Sequence, residues 1–326
     1  MAVYPWMAPL RALVQSLERT FGRGIVAPLV PPTSPEGLPE LPALLPTGLP
    51  ALEQILGRAG LPRGTMVEIF GADGVGKTSL ALALTAAAQR AGLATAYLDV
   101  ERGLQLDYAR ALGVEPAQAL LSRPDCAETA WQLVEALVRS GGVGLVVVDS
   151  LAAMVPRAEL SRPLDQDPGA DQARLMSRAL RRLAAVVHES GATVVFVNQA
   201  RRELGDHGQT VEVSGGGTAL RYYASLRLEL RHDSALHEGD LRVGDVVRVE
   251  VCKSRFAMPH QVALLPLRWG KGFVAAPASP EVTRCAEGPT DVVAVDAAGL
   301  ELVHPTMQPC LVAPELLSAD GLPQVC

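Results

Sequence analysis

Between residues 65 and 200 the chain alternates two kinds of apolar pattern. Short, nearly continuous apolar runs occur at 66–70, 94–100, 143–148 and 193–198. Between them lie segments with helical spacing, at 79–91, 107–112, 127–139 and 172–187. Runs of this length and β-branched content predict strands buried on both faces. Their alternation with helices predicts a parallel sheet covered on both sides, an α/β fold. From Leu226 the pattern changes. Runs at 226–231, 245–253 and 261–267 follow one another without helices and predict an antiparallel extension of the same sheet.

Outside this core the patterns differ. Leu10, Leu13, Val14, Leu17 and Phe21 recur at helical spacing, which predicts a separate helix over 9–23 with Gly24 as its stop. Prolines at 28, 31, 32, 35, 39, 42, 46 and 50 remove amide donors and predict an extended connector. The expected organisation is a helix at 1–24, a connector at 25–50, a core at 51–275 and a short tail region at 276–326. In that last region 291–296 and 300–303 read as a hairpin, and the rest carries no clear period.

Composition narrows the class. The chain has 326 residues, 48% of them hydrophobic and 20% charged. That is enough for one large domain with appendages and unlike a disordered chain. No apolar stretch reaches the roughly 18 residues of a membrane span. Arg11, Glu18 and Arg19 interrupt the first apolar segment, which excludes a secretory signal and makes the cytoplasm the expected compartment. The five cysteines (126, 252, 285, 310 and 326) form no CxxC pair, so no metal or disulfide framework is expected. A net charge of −6 argues against adhesion to DNA over the whole surface but leaves room for a local basic track.

The sharpest chemical signal is Gly71, Ala72, Asp73, Gly74, Val75, Gly76, Lys77 and Thr78, a full match to GxxxxGK[ST]. It follows a strand pattern and opens a helix pattern that starts with Ser79, the context this motif requires. Glycines let backbone amides face phosphate oxygens, and the helix N-terminus favours negative charge. Lys77 would bridge the β- and γ-phosphates, and Thr78 would hold Mg²⁺. Asp149 ends an apolar strand and suits the same metal. Glu101 ends another strand and would activate water; from spacing alone, Asp99 or a structural salt bridge are equal alternatives.

With these residues placed, the chain resembles the bacterial RecA recombinases over about 10–273. The resemblance rests on VEIFGADGVGKTSLAL, AYLDVERGLQLDYARALGV, VVVDSLAAMVPRAEL, ARLMSRALRRLA, VFVNQ, GGGTALRYYASLRLEL and VCKSRFAMP, in family order. It implies a P-loop ATPase core and a helical filament on single-stranded DNA for recombination and repair, with 1–24 as the polymerisation helix. It further implies ATP and Mg²⁺ as ligands and possible repair-protein partners. It places Glu101 on the family's water-activating glutamate, Tyr108 on the adenine-stacking aromatic and Asp149 with Ser150 on the Walker B pair. Gln199 falls on the γ-phosphate sensor. Lys253 and Arg255 fall on two lysines that reach the neighbouring subunit's ATP. Arg174 falls on a DNA-contacting arginine, and Tyr222 on an interface aromatic for which plain core packing is the alternative.

Two segments depart from that pattern. The loops expected to meet DNA lie near 157–170 and 200–217. In the second, Asp206, His207 and Gly208 replace apolar or aromatic residues. Its side chains set Arg201 and Arg202 against three acids, net −1 with His207 neutral. Gly216 and Gly217 keep amides able to bind phosphate. The first loop adds Asp165 and Asp167 against Arg162. Two readings follow. One is a DNA-dependent ATPase with Arg174, Arg201, Arg202, Gly216 and Gly217 on the DNA. The other is an ATP-binding regulatory or adaptor paralogue in the DNA-damage response without strand exchange.

Overall fold

The computed structural model describes residues 10–22, 26, 43–163, 166, 170–204, 210–214 and 219–274, with backbone alone at 11, 201–204 and 210–214. The chain divides into two units, Met1–Ala286 and Glu287–Cys326, and every described residue falls in the first. The expected hairpin at 291–303 and most of the Pro-rich segment lie outside the described residues.

Helix α1 (Arg11–Phe21) comes first. Its Leu13 is 56% exposed and Phe21 66%, so an amphipathic helix keeps apolar side chains in solvent. The end of the Pro-rich segment is folded. Strand β1 (Leu44–Leu45) pairs antiparallel with β2 (Leu61–Pro62), and α2 (Pro50–Leu56) lies between them. Leu45, Leu49 and Leu52 are buried there, and Pro50 sits in the first turn of the helix, where no amide is needed.

The repeating units follow: β3 (Met66–Gly71), α3 (Lys77–Arg90), β4 (Thr95–Asp99), α4 (Leu106–Ala111), β5 (Ala119–Ser122), α5 (Ala127–Arg139) and β6 (Leu145–Asp149). Next come α6 (Arg157–Leu160), α7 (Asp171–Ser190), β7 (Thr193–Leu204), β8 (Thr210–Ser214), α8 (Ala219–Tyr223) and the strands β9 (Leu226–Glu238), β10 (Leu241–Ser254), β11 (Val262–Arg268) and β12 (Gly272–Phe273). The main sheet has the order β12-β11-β10-β9-β3-β7-β6-β4-β5. From β9 to β5 all neighbours are parallel; β10, β11 and β12 add antiparallel. The mostly parallel α/β sheet with an antiparallel extension is the architecture the apolar pattern predicts.

Period-two alternation explains why those runs are apolar throughout. Val67, Ile69, Leu145, Val147, Val195 and Val197 face the core under α3. Met66, Val146, Val148, Val194 and Phe196 face the core under α5 and α7. Both faces are covered, so neither parity can be polar without a partner. Trp131 of α5 packs on Phe196 with ring centroids 5.6 Å apart.

Several strands differ from expectation. β5 lies at the sheet edge, and its Leu120 and Leu121 are exposed, so its short run lacks the signature of a buried strand. The strand expected to end at Gln199 continues to Leu204 and pairs antiparallel with β8, with Arg202 opposite Glu212. The polar segment expected as a loop is therefore a hairpin over much of its length. Alternating polar residues there mimic a loop because no apolar face reports the strand. Strands β9 and β10 extend well beyond the apolar runs, into polar residues, for the same reason.

Candidate nucleotide site

The phosphate loop joins β3 to α3 at the C-terminal end of the parallel strands, where open α/β sheets bind ligands. Two glycines show why side chains are excluded. A Cβ on Gly71 would lie 2.2 Å from the Leu230 carbonyl oxygen. Gly76, with φ +97°, precedes α3, and a Cβ there would meet Leu267 at 2.7 Å. Val75 is buried and anchors the loop, while Asp73 is turned to solvent.

Lys77 is 8% exposed. Its Nζ donates to the carbonyls of Gly71 at 3.0 Å and Ala72 at 2.7 Å. Burial pulls its pKa below the ordinary lysine value, and the charges of Asp73, Asp149 and Glu101 pull it back up. A cation held this way gains most from a phosphate, which would supply the charge that burial denies it.

Asp149 ends β6, and its Oδ2 is the meeting point of two hydroxyls. Thr78 Oγ1 donates to it at 2.8 Å and Tyr97 Oη at 2.7 Å. Burial raises the Asp149 pKa, partly offset by those two hydrogen bonds. Burial and Asp149 together push the Tyr97 hydroxyl well above its usual range, so it remains a donor. A threonine hydroxyl and a carboxylate oxygen in contact form an oxygen donor pair that fits Mg²⁺. Tyr97 was not among the site residues expected from sequence. It reads as one more apolar residue of its strand, and only its place beside β6 reveals its hydrogen bond.

Glu101 and Asp99 separate cleanly. Asp99 is 2% exposed and is spent on structure: it accepts from the Gly103 and Leu104 amides and from Arg123 Nε at 2.9 Å. Glu101 is exposed, and its Oε1 accepts a short hydrogen bond from Ser150 Oγ. Ser150 is itself buried next to Asp149, and the peptide between them is cis. The geometry leaves Glu101, not Asp99, open toward the phosphate end of the site. Ser79 Oγ lies 2.7 Å from Tyr108 Oη, which fixes the ring of Tyr108 beside the start of α3. Gln199 pairs with Gly71 in the β3–β7 ladder, so it sits beside the first residue of the phosphate loop.

Other expected residues lie elsewhere. Lys253 is opposite Arg227 in the β9–β10 ladder, and Arg227 is opposite Glu68. That is three residues before Gly71, so roughly 10 Å along the strand separates Lys253 from the phosphate loop, at the wrong end of the sheet. Lys253 Nζ donates to the carbonyls of Arg221 at 2.6 Å and Tyr222 at 3.0 Å. Burial and then Arg255 depress its pKa. Arg255 is exposed just beyond the strand end. Tyr222 is 73% exposed, which removes core packing as its role within one chain. Arg174 is exposed on α7, lining a cavity of about 430 Å³ with Pro156 and Ala158. The side chains of Arg201 and Arg202, and all of Gly216 and Gly217, lie outside the described residues.

No described helix is long and apolar enough to cross a membrane. Comparison with known proteins gives a consistent picture. The RecA N-terminal domain family matches residues 8–274. Protein RecA 1 of Myxococcus xanthus is 43% identical over 262 residues, covering 80% of this chain and 75% of that protein. Protein RecA of Geobacter metallireducens is 40% identical over 260 residues (80% and 76%), and Protein RecA of Nocardia farcinica 40% over 264 (81% and 75%). This similarity favours the recombinase reading over the adaptor reading. The chain belongs to the RecA family, with a RecA-like function in recombination and repair.

Proposed function

We propose that this chain hydrolyses ATP in a filament on single-stranded DNA, with each nucleotide held between two copies. One observation carries the reading: Lys77, Thr78, Asp149 and Glu101 converge at one end of the sheet beside Gln199, while Lys253 and Arg255 stand at the other. The fit of the groups to a Mg²⁺–nucleotide is chemical. The positive φ angles of Gly74 and Gly76 give the loop a backbone shape that lets its amides turn toward a phosphate. Lys77 faces the β- and γ-phosphates, and Tyr108 flanks the base. Thr78 and Asp149 would hold Mg²⁺, which would supply neutralisation of phosphate charge. Glu101, held by Ser150, takes a proton from the attacking water. Gln199 contacts the γ-phosphate at the root of the β7–β8 hairpin, so hydrolysis changes the strand that leads to the DNA segment.

Lys253 and Arg255 lie too far from their own phosphate loop to serve it. In a head-to-tail assembly a second copy presents that end of its sheet to the first. They then stabilise the charge that develops on the transferring phosphoryl group. Helix α1, with its exposed Leu13 and Phe21, is the proposed arm that joins one copy to the next. Arg174, Arg201, Arg202 and the amides of Gly216 and Gly217 are the proposed DNA contacts.

ATP hydrolysis measured with and without single-stranded DNA tests the reading, with Lys77→Ala as the blank. Stimulation by DNA supports it. A wild-type rate indifferent to DNA would remove DNA from the mechanism and return the adaptor reading.

A further inference from the structure

A line of buried polar side chains connects the two ends of the sheet. Glu68 lies in β3 and is fully buried. Its Oε1 accepts from Asn198 Nδ2 of β7 at 3.0 Å, and its Oε2 accepts from Arg227 Nε of β9. Asn198 is 1% exposed, and its Oδ1 accepts from the backbone N–H of Gln199 at 3.0 Å. Arg227 is 8% exposed, lies 4.5 Å from the Phe70 ring centroid and is opposite Lys253 in the ladder. The charges of Arg227 and Glu68 act on Lys253 in opposite directions.

Stability does not account for this arrangement. The same-face neighbours in β3, Met66 and Phe70, are apolar and buried. A buried ion pair is weak as a source of stability, because desolvation consumes most of the attraction. It is strong as a constraint: a carboxylate shut off from water cannot exchange a protein partner for solvent. If Asn198 moves, Glu68 must follow or lose a hydrogen bond. If Glu68 moves, Arg227 must follow, and Arg227 stands beside Lys253.

We propose that Asn198, Glu68 and Arg227 couple the two nucleotide sites that each chain serves, tying Gln199 at its own phosphate loop to Lys253, which serves the next copy. They are positioning residues. The inference rests on the proposed function, since it needs Gln199 and Lys253 to act on different nucleotides. Nucleotide state at one interface then biases the charge presented to the adjacent one.

The test is the ATP dependence of hydrolysis by the full chain on single-stranded DNA, for wild type, Glu68→Gln and Asn198→Ser. Both partners of Glu68 are donors, so a glutamine there must turn its own NH₂ toward one of them and break the line. Asn198→Ser cuts one link and leaves the Glu68–Arg227 pair in place, and thermal unfolding confirms that each variant folds. Expected is a wild-type Hill coefficient above 1 that falls to about 1 in both variants, with maximal turnover reduced by no more than about tenfold. A merely structural role would lower stability and leave the Hill coefficient alone. Folded variants with the wild-type coefficient overturn the proposal, as does a wild type whose own coefficient is 1. A wild type that hydrolyses no ATP removes the ATPase reading first, and the coupling falls with it.

Discussion

The two ends of the central sheet are built on opposite principles. At the C-terminal ends of β4 and β6, side chains from two strands and one helix meet within hydrogen-bond distance: Thr78 and Tyr97 on Asp149, with Lys77 and the Glu101–Ser150 pair beside them. At the other end, Lys253 donates to the backbone carbonyls of Arg221 and Tyr222, and Arg255 and Tyr222 face solvent. The first end is organised within one chain. The second carries charge and an exposed aromatic with no local substrate to act on. Burial depresses both lysines; Asp73, Asp149 and Glu101 oppose it at Lys77, whereas at Lys253 Glu68 opposes it while Arg255 and Arg227 add to it. Geometry of this kind makes sense when one copy supplies the loop and another the cations.

The largest effect should come from the complete end. Lys77→Ala removes the cation aimed at the phosphates, and turnover should fall by about a thousandfold or more. Residual hydrolysis close to wild type, after removal of contaminating ATPases, would break the site assignment.

The second effect separates the two ends directly. Lys253→Ala with Arg255→Ala should lower turnover by about a hundredfold to a thousandfold while ATP still binds, because the phosphate loop is intact. Mixed with Lys77→Ala, the inactive pair should regain activity. At equal amounts about a quarter of the interfaces then join an intact loop to intact cations, if copies meet head to tail at random. A mixture no more active than its components would show that loop and cations do not come from different copies.

How much of this was legible in the sequence differs between the two ends for a physical reason. The phosphate loop is a local device: its glycines, lysine and threonine are adjacent in the chain, so Gly71–Thr78 could be read directly. Lys253 and Arg255 carried no meaning by spacing and took theirs from the resemblance alone. Glu68 was hidden inside an apolar run, because its partners Asn198 and Arg227 lie 130 and 159 residues away. Tyr97 was hidden likewise, its partner Asp149 being 52 residues on. Spacing alone left Asp99 and Glu101 open and the resemblance favoured Glu101; the bond from Arg123 adds a structural role for Asp99 that no local pattern shows.

A third and smaller effect concerns the hairpin that leaves the nucleotide end. If Arg201 and Arg202 meet phosphates, replacing both by alanine should weaken single-stranded DNA binding and flatten its salt dependence. The slope of log affinity against log salt should fall by about 0.7 per arginine. An unchanged slope would take these arginines off the DNA and leave Arg174 and the loop amides to hold it.

The smallest effect tests whether the complete end is strained by its own chemistry. Asp149 is buried, and burial raises its pKa; hydrogen bonds from Thr78 and Tyr97 oppose that, and Glu101 and Asp99 add to it. A raised folded-state pKa means that the folded chain holds this proton more tightly than the unfolded chain. The stability it contributes is fully present below the unfolded carboxylate pKa of about 3.9 and is lost as pH rises through the folded value. At pH 7, without Mg²⁺ and nucleotide, ionised Asp149 is therefore a net burden. Asp149→Asn should melt slightly above wild type there, and the gap should close as pH falls toward about 4. With Mg²⁺ and ATP the order should reverse, because the tighter-binding chain that retains the carboxylate gains more stability from the ligand. A variant that melts below wild type at pH 7 without ligand would mean that the Thr78 and Tyr97 hydrogen bonds outweigh desolvation. The nucleotide end would then be relaxed before any ligand arrives, and its readiness to take up Mg²⁺ would have to come from the loop rather than from Asp149.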